Sequence, residues 1–244
     1  MSRFAFNPDL DLEALSECWE PGGRLHVPNI LTLETADLLE EALATETDWI
    51  RSVTMRSGTF HVPLKGNEPQ TETHRKWLAR ALVDGEAPDK RPPSAERAPG
   101  PRTQLAGECL DLGAHQLVQG VLVARLLPAG EERPGPRVGV TQAADTQRIY
   151  CQASRFVNGQ VLTEHTDHGG GKRLVAHVFN LTRTWNPDWG GLLLFYDEQG
   201  HVSRGFTPGF NCLNLFRTPQ SHAVTQIAPY APHPRLAISG WLMG

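Results

Sequence analysis

The C-terminal part of the chain alternates short apolar runs with turn residues, and this pattern predicts an all-β architecture. From residue 149 onward, the apolar runs are separated by turn pairs such as Asn158-Gly159 and Pro208-Gly209. Eight short strands with a turn signal roughly every ten residues favour a sandwich or barrel over βαβ units. Eight is also the strand count of a double-sheet jelly roll. The predicted strands are 149–157, 161–165, 174–181, 192–196, 202–207, 212–216, 223–227 and 236–243.

Residues 1–83 have a different pattern, which predicts a mixed α and β segment that supports the C-terminal core. Thr32 has the side chain of an N-cap, and apolar residues from Ala36 to Leu43 recur at helical spacing after it. A strand near residue 27 is interrupted by Pro28, which cannot donate to a hydrogen-bond ladder. The other elements predicted here are a helix over 12–19, strands over 24–31, 49–54 and 60–64, and a helix over 72–83.

The middle segment, residues 84–148, is predicted to be irregular, with one helix over 112–127. The slightly longer stretch 79–148 contains no Phe, Tyr, Trp, Met, Asn or Ile, and its only lysine is Lys90. Two interpretations fit this bias. One is a GC-rich gene segment read out of frame, and the other is a disordered insertion rich in Pro and Arg. Both predict poor order over 84–110.

Length and composition limit the classes of protein to consider. A chain of 244 residues can form one large β domain or two small ones, and its net charge of −4 gives no reason to expect a nucleic-acid partner. No apolar run approaches the roughly 18 residues of a membrane span, and the N-terminus lacks a signal-peptide pattern. The expectation is a cytoplasmic protein.

The four cysteines form no CxxC pair, which predicts reduced thiols and neither a zinc knuckle nor a disulfide framework.

A candidate metal site stands at the end of a predicted strand. In an extended chain His165 and Asp167 point to the same side, so that they can share one ion. With His222 they make the two-imidazole, one-carboxylate triad of non-haem Fe(II) oxygenases, a ligand set that Mn(II) also accepts. An H-x-D triplet alone is weak evidence, because most histidines are ordinary surface or core residues. The other histidines near enough in sequence to be the distal ligand are His168, His177, His201 and His233.

Arg235 makes the pattern more specific. It follows His222 by 13 residues and stands at the start of the last predicted strand. A planar guanidinium binds a carboxylate through two hydrogen bonds, which suits the distal carboxylate of 2-oxoglutarate. Any single arginine at a strand end is more often a surface residue. The combination of H-x-D, a distal His and a later Arg is much less common than any one of its parts.

With these residues in place, the C-terminal 95 residues, 150–244, resemble the catalytic domain of the 2-oxoglutarate- and Fe(II)-dependent prolyl-hydroxylase-like family. The segment 25–31 more weakly resembles the N-terminal support segment of that family. The matching motifs are Gln152–Phe156, Leu162–Asp167, Arg173–Ala176, Trp185–Leu192, Phe206–Pro208, Phe210-Asn211, Leu215-Phe216, Pro219–His222 and Arg235–Trp241.

The resemblance implies a fold and a site. The fold is mainly β with flanking helices, a double-stranded β-helix (jelly roll, cupin-like). Iron is expected on His165, Asp167 and His222, and 2-oxoglutarate on Arg235 with help from Ser239. Many relatives place on the third core strand a Tyr that reaches the co-substrate carboxylate. The corresponding residue is Asn180, whose amide could donate one hydrogen bond instead.

The resemblance also implies a reaction. One molecule each of 2-oxoglutarate and O₂ is consumed, CO₂ and succinate are released, and an unactivated C–H bond is hydroxylated. The expected substrate is a peptidyl proline on a protein or peptide partner. Two alternatives stay open: a hydroxylase of free amino acids, and a catalytically inactive β-helix binding protein. The sequence leaves the oligomeric state open.

Overall fold

The computed structural model of this chain describes residues 5–19, 22–45, 49–55, 58–65, 68–73, 75–76, 104–110, 148–168 and 172–244. The predicted helix over 112–127 and most of the predicted helix over 72–83 lie outside the described residues. Two α-helices are described, α1 (Leu12–Cys18) and α2 (Leu33–Thr45), with a short 3-10 helix at Pro187–Trp189. Both α-helices begin at side-chain caps, because Asp11 accepts a hydrogen bond from Ala14 N and Thr32 accepts one from Thr35 N.

The strands are short and mostly follow the predicted runs. The N-terminal and middle parts of the chain contribute five of them: β1 (Arg24–Val27), β2 (Ile50–Met55), β3 (Gly58–Lys65), β4 (Glu68–Pro69) and β5 (Gln104–Leu110). The C-terminal part contributes eight: β6 (Arg148–Phe156), β7 (Leu162–His165), β8 (Arg173–Asn180), β9 (Leu193–Tyr196), β10 (Val202–Phe206), β11 (Cys212–Arg217), β12 (His222–Val224) and β13 (Arg235–Met243).

The strands form two antiparallel sheets. The large sheet has the order β1-β11-β8-β13-β6-β5-β2-β3-β4, and the small sheet has the order β10-β9-β12-β7. The last eight strands divide equally between the two sheets, four in each, which is the arrangement of a double-stranded β-helix. The predicted fold class is therefore confirmed. Among the described residues, no helix has the length and apolar character needed to cross a membrane.

The prediction of an irregular middle segment is wrong for residues 104–110. These residues form β5, which pairs with β2 on one side and with β6 on the other. Two neighbouring strands supply backbone partners to this segment, so that it can form a strand without the aromatic and β-branched residues that mark one in a sequence. Through β5, strands β2, β3 and β4 of the N-terminal segment join the same sheet as the core, whereas β1 joins that sheet at its other edge beside β11. The other boundaries of the predicted segments 1–83, 84–148 and 149–244 stay a prediction.

Strand β8 shows how the large sheet is buried on both faces. Successive residues of a strand point to opposite sides. Ala176 and Val178 face the small sheet and pack in a cluster with Phe195. Val175 and Phe179 face away from it and belong to the main core, together with Trp19, which follows α1, and Leu43 of α2. The helices therefore cover the outer face of the large sheet and leave its inner face to form a cavity with the small sheet.

Candidate active site

His165 and His222 are brought together by strand pairing. They lie directly opposite each other on β7 and β12, and their ring centroids are 4.2 Å apart. His165 Nδ1 is 2.8 Å from the carbonyl oxygen of Thr163, and His222 Nδ1 is 2.8 Å from that of Gln220. A carbonyl oxygen can only accept, so both Nδ1 atoms carry the proton. Both Nε2 atoms therefore have a free lone pair, as metal ligation requires.

Asp167 reaches the two histidines by a different route from the one predicted. Strand β7 ends at His165, and Asp167 has a left-handed backbone with φ of 58°. Asp is one of the residues that tolerate this conformation. Its Oδ2 lies 3.4 Å from His222 Nε2, and its Oδ1 lies 3.6 Å from His165 Nε2. The three side chains thus surround a common point, although the extended geometry assumed from the sequence is absent.

The environment lowers the pKa of both Asp167 and His165. Burial alone would raise the pKa of Asp167, but the nearby His222 ring, the Trp241 indole and the positive charge that the histidines carry when protonated lower it overall. The Trp241 indole N–H lies near this carboxylate without meeting strict hydrogen-bond geometry. Burial, followed by the charge of His222, lowers the pKa of His165. A carboxylate anion and a neutral imidazole are therefore both favoured at neutral pH.

Arg173 also contacts the site. Its Nη1 is 3.1 Å from Oδ1 of Asp167, and its guanidinium lies over the Trp241 ring at 3.7 Å from the centroid. The sequence predicts no role for this arginine beyond its place in the motif Arg173–Ala176. It directly precedes the predicted strand 174–181. Only the fold shows that the start of β8 lies beside Asp167.

Arg235 is almost completely buried, with 2% of its surface exposed. Its Nη2 donates to Oδ1 of Asn180 at 3.0 Å, whereas its Nε has no hydrogen-bond partner. Burial lowers the pKa of this guanidinium to about 10, so it remains charged at neutral pH. Within the described parts of the chain, no carboxylate forms a salt bridge with it. A buried charge without a counter-ion is costly, and this one is suited to an anionic ligand.

The two other residues predicted to bind the co-substrate occupy different positions. Ser239 lies four residues after Arg235, on the same face of β13, and lines the cavity. Asn180 is fully buried and is absent from the cavity lining. Its amide oxygen accepts from Arg235, and its amide nitrogen donates to the Cys212 carbonyl at 3.4 Å. Asn180 thus contacts Arg235, whereas the predicted contact was a direct hydrogen bond from its amide to the co-substrate.

Space for the Arg235 side chain depends on the glycine pair in the loop before β9. Gly190 and Gly191 both have positive φ, 72° and 65°. A Cβ on Gly191 would lie 3.0 Å from Cδ of Arg235 and 2.8 Å from Cδ1 of Ile227. This tight turn therefore brings the backbone close to the Arg235 side chain. Trp185 and Trp189, which precede the turn, pack against Phe156, Ile227 and Ala231.

The cavity between the sheets has a volume of about 300 Å³ and contains the three candidate ligands, Arg235 and Ser239 in its wall. Arg235 and Trp241 lie on the same face of β13, and Trp241 lies beside Asp167. The guanidinium and the metal-ligand cluster therefore line one cavity. Its wall is otherwise mainly apolar, with Ala176, Val178, Leu193, Phe216 and Val224.

The other histidines considered from the sequence do not join this cluster. His168, His201 and His233 are exposed. His177 is fully buried, with Nε2 3.2 Å from the Tyr150 carbonyl oxygen and 3.6 Å from Sγ of Cys151. Among the described residues, the only group of three or more side chains that could hold one metal ion is His165, Asp167 and His222. The free cysteines Cys18, Cys151 and Cys212 belong to no such group.

Fold and site together define the class: a double-stranded β-helix protein with a candidate metal centre of two histidines and one aspartate in its cavity. Comparison with protein families finds that residues 151–243 match the model of the 2OG-Fe(II) oxygenase superfamily. That superfamily uses Fe(II), 2-oxoglutarate and O₂, in agreement with the predicted cofactors. A comparison with curated proteins gives no match.

Solved structures of similar fold include two prolyl hydroxylases and one oxidoreductase of the 2OG-Fe(II) oxygenase family. A Pseudomonas putida prolyl-4-hydroxylase has 16% identity and a TM-score of 0.54, with 98% of this chain and 97% of that chain covered. A Trichoplax adhaerens prolyl hydroxylase, in complex with a peptide fragment of the hypoxia inducible factor oxygen degradation domain, has 16% identity and a TM-score of 0.50. The coverage is 95% of this chain and 88% of that one. A Burkholderia pseudomallei oxidoreductase of the 2OG-Fe(II) oxygenase family has 12% identity and a TM-score of 0.50, with 99% of this chain and 94% of that chain covered. At these identities the likeness concerns the fold.

Proposed function

We propose that this chain is an Fe(II)- and 2-oxoglutarate-dependent dioxygenase in which His165, Asp167 and His222 hold the metal and Arg235 binds the distal carboxylate of the co-substrate. One observation carries the proposal. The same cavity contains free metal-ligating atoms and a buried guanidinium that has no counter-ion among the described residues. A dicarboxylic 2-oxo acid is complementary to both, because one end can chelate a metal and the other can accept hydrogen bonds from an arginine.

The protein side chains have separate tasks in this reaction. The hydrogen bonds from the two Nδ1 atoms to backbone carbonyls orient the imidazoles and keep Nε2 available. Asn180 holds one side of the Arg235 guanidinium, so that Nε and the remaining nitrogen can face a carboxylate. The apolar wall of the cavity excludes water from the reacting groups. Bound Fe(II) supplies O₂ activation, and the balanced result is hydroxylated substrate, succinate and CO₂.

The substrate that we propose is a peptidyl proline. Two of the compared proteins of similar fold are prolyl hydroxylases, and one of them is described in complex with a peptide. In this chain, Tyr150 stacks on Trp241 at 5.5 Å between ring centroids and is 38% exposed. This aromatic surface near Asp167 offers an apolar contact to a flat ring such as that of proline.

Succinate formation by the purified protein tests the proposal. The assay combines the protein with Fe(II), 2-oxoglutarate and O₂, and adds either proline-containing peptides, matched peptides with Pro→Ala, or free amino acids. Peptide oxidation is detected as the gain of one oxygen atom by mass spectrometry. His222→Ala is expected to abolish succinate formation, and His201→Ala, a change at an exposed histidine, is expected to leave it intact.

Each result has a distinct meaning. Oxidation of free amino acids alone would contradict the peptide substrate but keep the reaction class. Absence of metal binding and of 2-oxoglutarate turnover would contradict the proposal as a whole and favour a binding protein without activity. Equal losses of succinate formation in His222→Ala and His201→Ala would contradict the assignment of His222 as a metal ligand.

A further inference from the structure

The two carboxylate oxygens of Asp167 have different neighbours. Oδ1 accepts a hydrogen bond from Nη1 of Arg173 at 3.1 Å. Oδ2 accepts no hydrogen bond from that arginine and faces Nε2 of His222 at 3.4 Å. An oxygen that already accepts a charged hydrogen bond has less electron density to offer to a cation. Oδ2 is therefore the better donor of the two toward an ion between the imidazoles.

The backbone alone does not hold Asp167 in one orientation. This residue lies beyond the end of β7, with a left-handed backbone, so that no ladder of strand hydrogen bonds fixes it. Its side chain is only 8% exposed, and its contacts are His165, His222, Arg173 and the indole of Trp241. Among these neighbours, only Arg173 brings a permanent positive charge to the carboxylate.

Arg173 is itself held in place. Its guanidinium lies 3.7 Å from the centroid of the Trp241 ring, and Trp241 stacks in turn on Tyr150. A planar cation between a carboxylate and an indole face is well oriented, and a lysine cannot reproduce both contacts. Trp241 lies on β13, which pairs with β8, the strand that Arg173 begins. The orientation of the guanidinium thus follows from the large sheet.

We infer that Arg173 is a positioning residue that makes Asp167 bind the metal through Oδ2 alone. This inference rests on the proposed metal site. A carboxylate that binds through one oxygen occupies one coordination position, and one that binds through both occupies two. Because a 2-oxo acid needs two adjacent positions and O₂ needs a third, loss of the Arg173 contact would remove a position that the co-substrate requires.

Three variants of the full-length protein test the inference. Arg173→Gln removes the charge, and Arg173→Lys keeps the charge but removes the planar stack. Arg183→Gln is the matched control, because Arg183 also pairs with carboxylates, those of Asp37 and Glu40, and also lies over a ring, that of Phe210 at 4.3 Å. These contacts lie outside the cavity lining.

The readouts are measured without O₂ and do not depend on turnover. Co(II) affinity is measured by calorimetry, the Co(II) absorption spectrum reports coordination geometry, and 2-oxoglutarate affinity is measured by titration of the Co(II)-loaded protein. Arg173→Gln is expected to weaken 2-oxoglutarate binding by roughly 10- to 100-fold, the usual effect of losing a partner of a metal ligand. Its Co(II) spectrum is expected to change, while Co(II) affinity falls less. Arg173→Lys should lie between wild type and Arg173→Gln, and Arg183→Gln should match wild type.

The outcomes separate this inference from the function on which it rests. If wild type binds Co(II) but Arg173→Gln has the wild-type spectrum and the wild-type 2-oxoglutarate affinity, the positioning role is wrong. Equal losses of Co(II) and 2-oxoglutarate affinity with an unchanged spectrum would also overturn it, because they indicate general damage. If wild type itself binds no Co(II), the proposed metal site fails instead.

Discussion

At the scale of single residues, the buried Arg235 guanidinium should decide how tightly the co-substrate binds. We predict that Arg235→Ala raises the KM for 2-oxoglutarate by roughly 10- to 150-fold, since a charge-assisted hydrogen-bonded pair contributes about 1.5–3 kcal/mol. Succinate formation at varied 2-oxoglutarate concentration measures the effect. Arg204→Ala, a change at an exposed arginine of β10, is the control. An Arg235→Ala enzyme with wild-type dependence on 2-oxoglutarate would exclude this role.

His177 should make the stability of the protein depend on pH. Full burial lowers the pKa of this imidazole to about 4 in the folded protein, from an ordinary value of 6.5. Between pH 6.5 and 4 the unfolded chain therefore binds more protons at this position than the folded one. By linkage, the stability contribution of His177 is complete above pH 6.5 and is lost as the pH falls through this window.

We predict that, between pH 7.5 and 4, the wild-type protein loses about 3 kcal/mol more of its free energy of unfolding than His177→Gln does. Urea unfolding of the metal-free proteins at several pH values measures the difference. His201→Gln, at an exposed position, should follow wild type. Parallel pH profiles of wild type and His177→Gln would contradict the prediction.

At the scale of elements, strand β13 depends on a glycine where it lies between β8 and β6. A Cβ on Gly240 would lie 1.8 Å from the carbonyl oxygen of Tyr150 and 2.9 Å from Nε2 of His177. We predict that Gly240→Ala lowers the free energy of unfolding by at least about 2 kcal/mol, because the backbone of β6 must move. The same strand holds Arg235 and Ser239, so 2-oxoglutarate affinity should fall as well.

The matched control is Gly205→Ala on β10. There the new Cβ would meet only the end of a flexible side chain, Cδ2 of Leu194 at 2.9 Å. Thermal or urea unfolding of the two variants should separate them clearly, with Gly205→Ala within about 1 kcal/mol of wild type. Similar losses in the free energy of unfolding in both variants would show that the clash at Gly240 is relieved without strain.

The predicted elements agree with the structure where local signals are strong. Alternating apolar residues and turn pairs mark the eight core strands, and the cap at Thr32 marks the start of α2. The sequence predicts the elements less well where pairing with neighbouring strands determines whether a strand forms and where it ends. Strand β12 ends at Val224 although the predicted strand continues to Ile227, and β5 was not predicted as a strand. In both places the neighbouring strands, which the local sequence does not reveal, determine the outcome.

At the scale of the whole molecule, the unusual composition of residues 79–148 leads to a test of the reading frame. Strand β5 lies within this stretch and pairs on both sides, and for that reason we expect the native protein to contain it. Tryptic digestion should yield the peptide from Thr103 to Arg125, since no Lys or Arg lies between them. The peptide from Leu174 to Arg183 is the internal reference. Recovery of the reference without the first peptide would favour the out-of-frame interpretation.

The sequence by itself determined the class of fold and the choice of candidate ligands. Strand periodicity and turn residues are local properties, and the order of His165, Asp167, His222 and Arg235 along the chain can be read without coordinates. The strand pattern predicted a sandwich or barrel with the strand count of a jelly roll, and the family resemblance implied a double-stranded β-helix, a class that the structure confirms. The motifs around them also carried the resemblance to 2-oxoglutarate-dependent oxygenases, and the family comparison agrees for residues 151–243.

The tertiary structure alone decided how these residues meet. The register of β7 and β12 sets His165 opposite His222, and a left-handed backbone turns Asp167 toward both. The contact of Arg173 with Asp167 and that of Asn180 with Arg235 depend on distances between strands, which no spacing in the sequence encodes. The physical reason is that local propensity fixes the direction of a side chain within its own strand, whereas its partners depend on which strands pair and in which register.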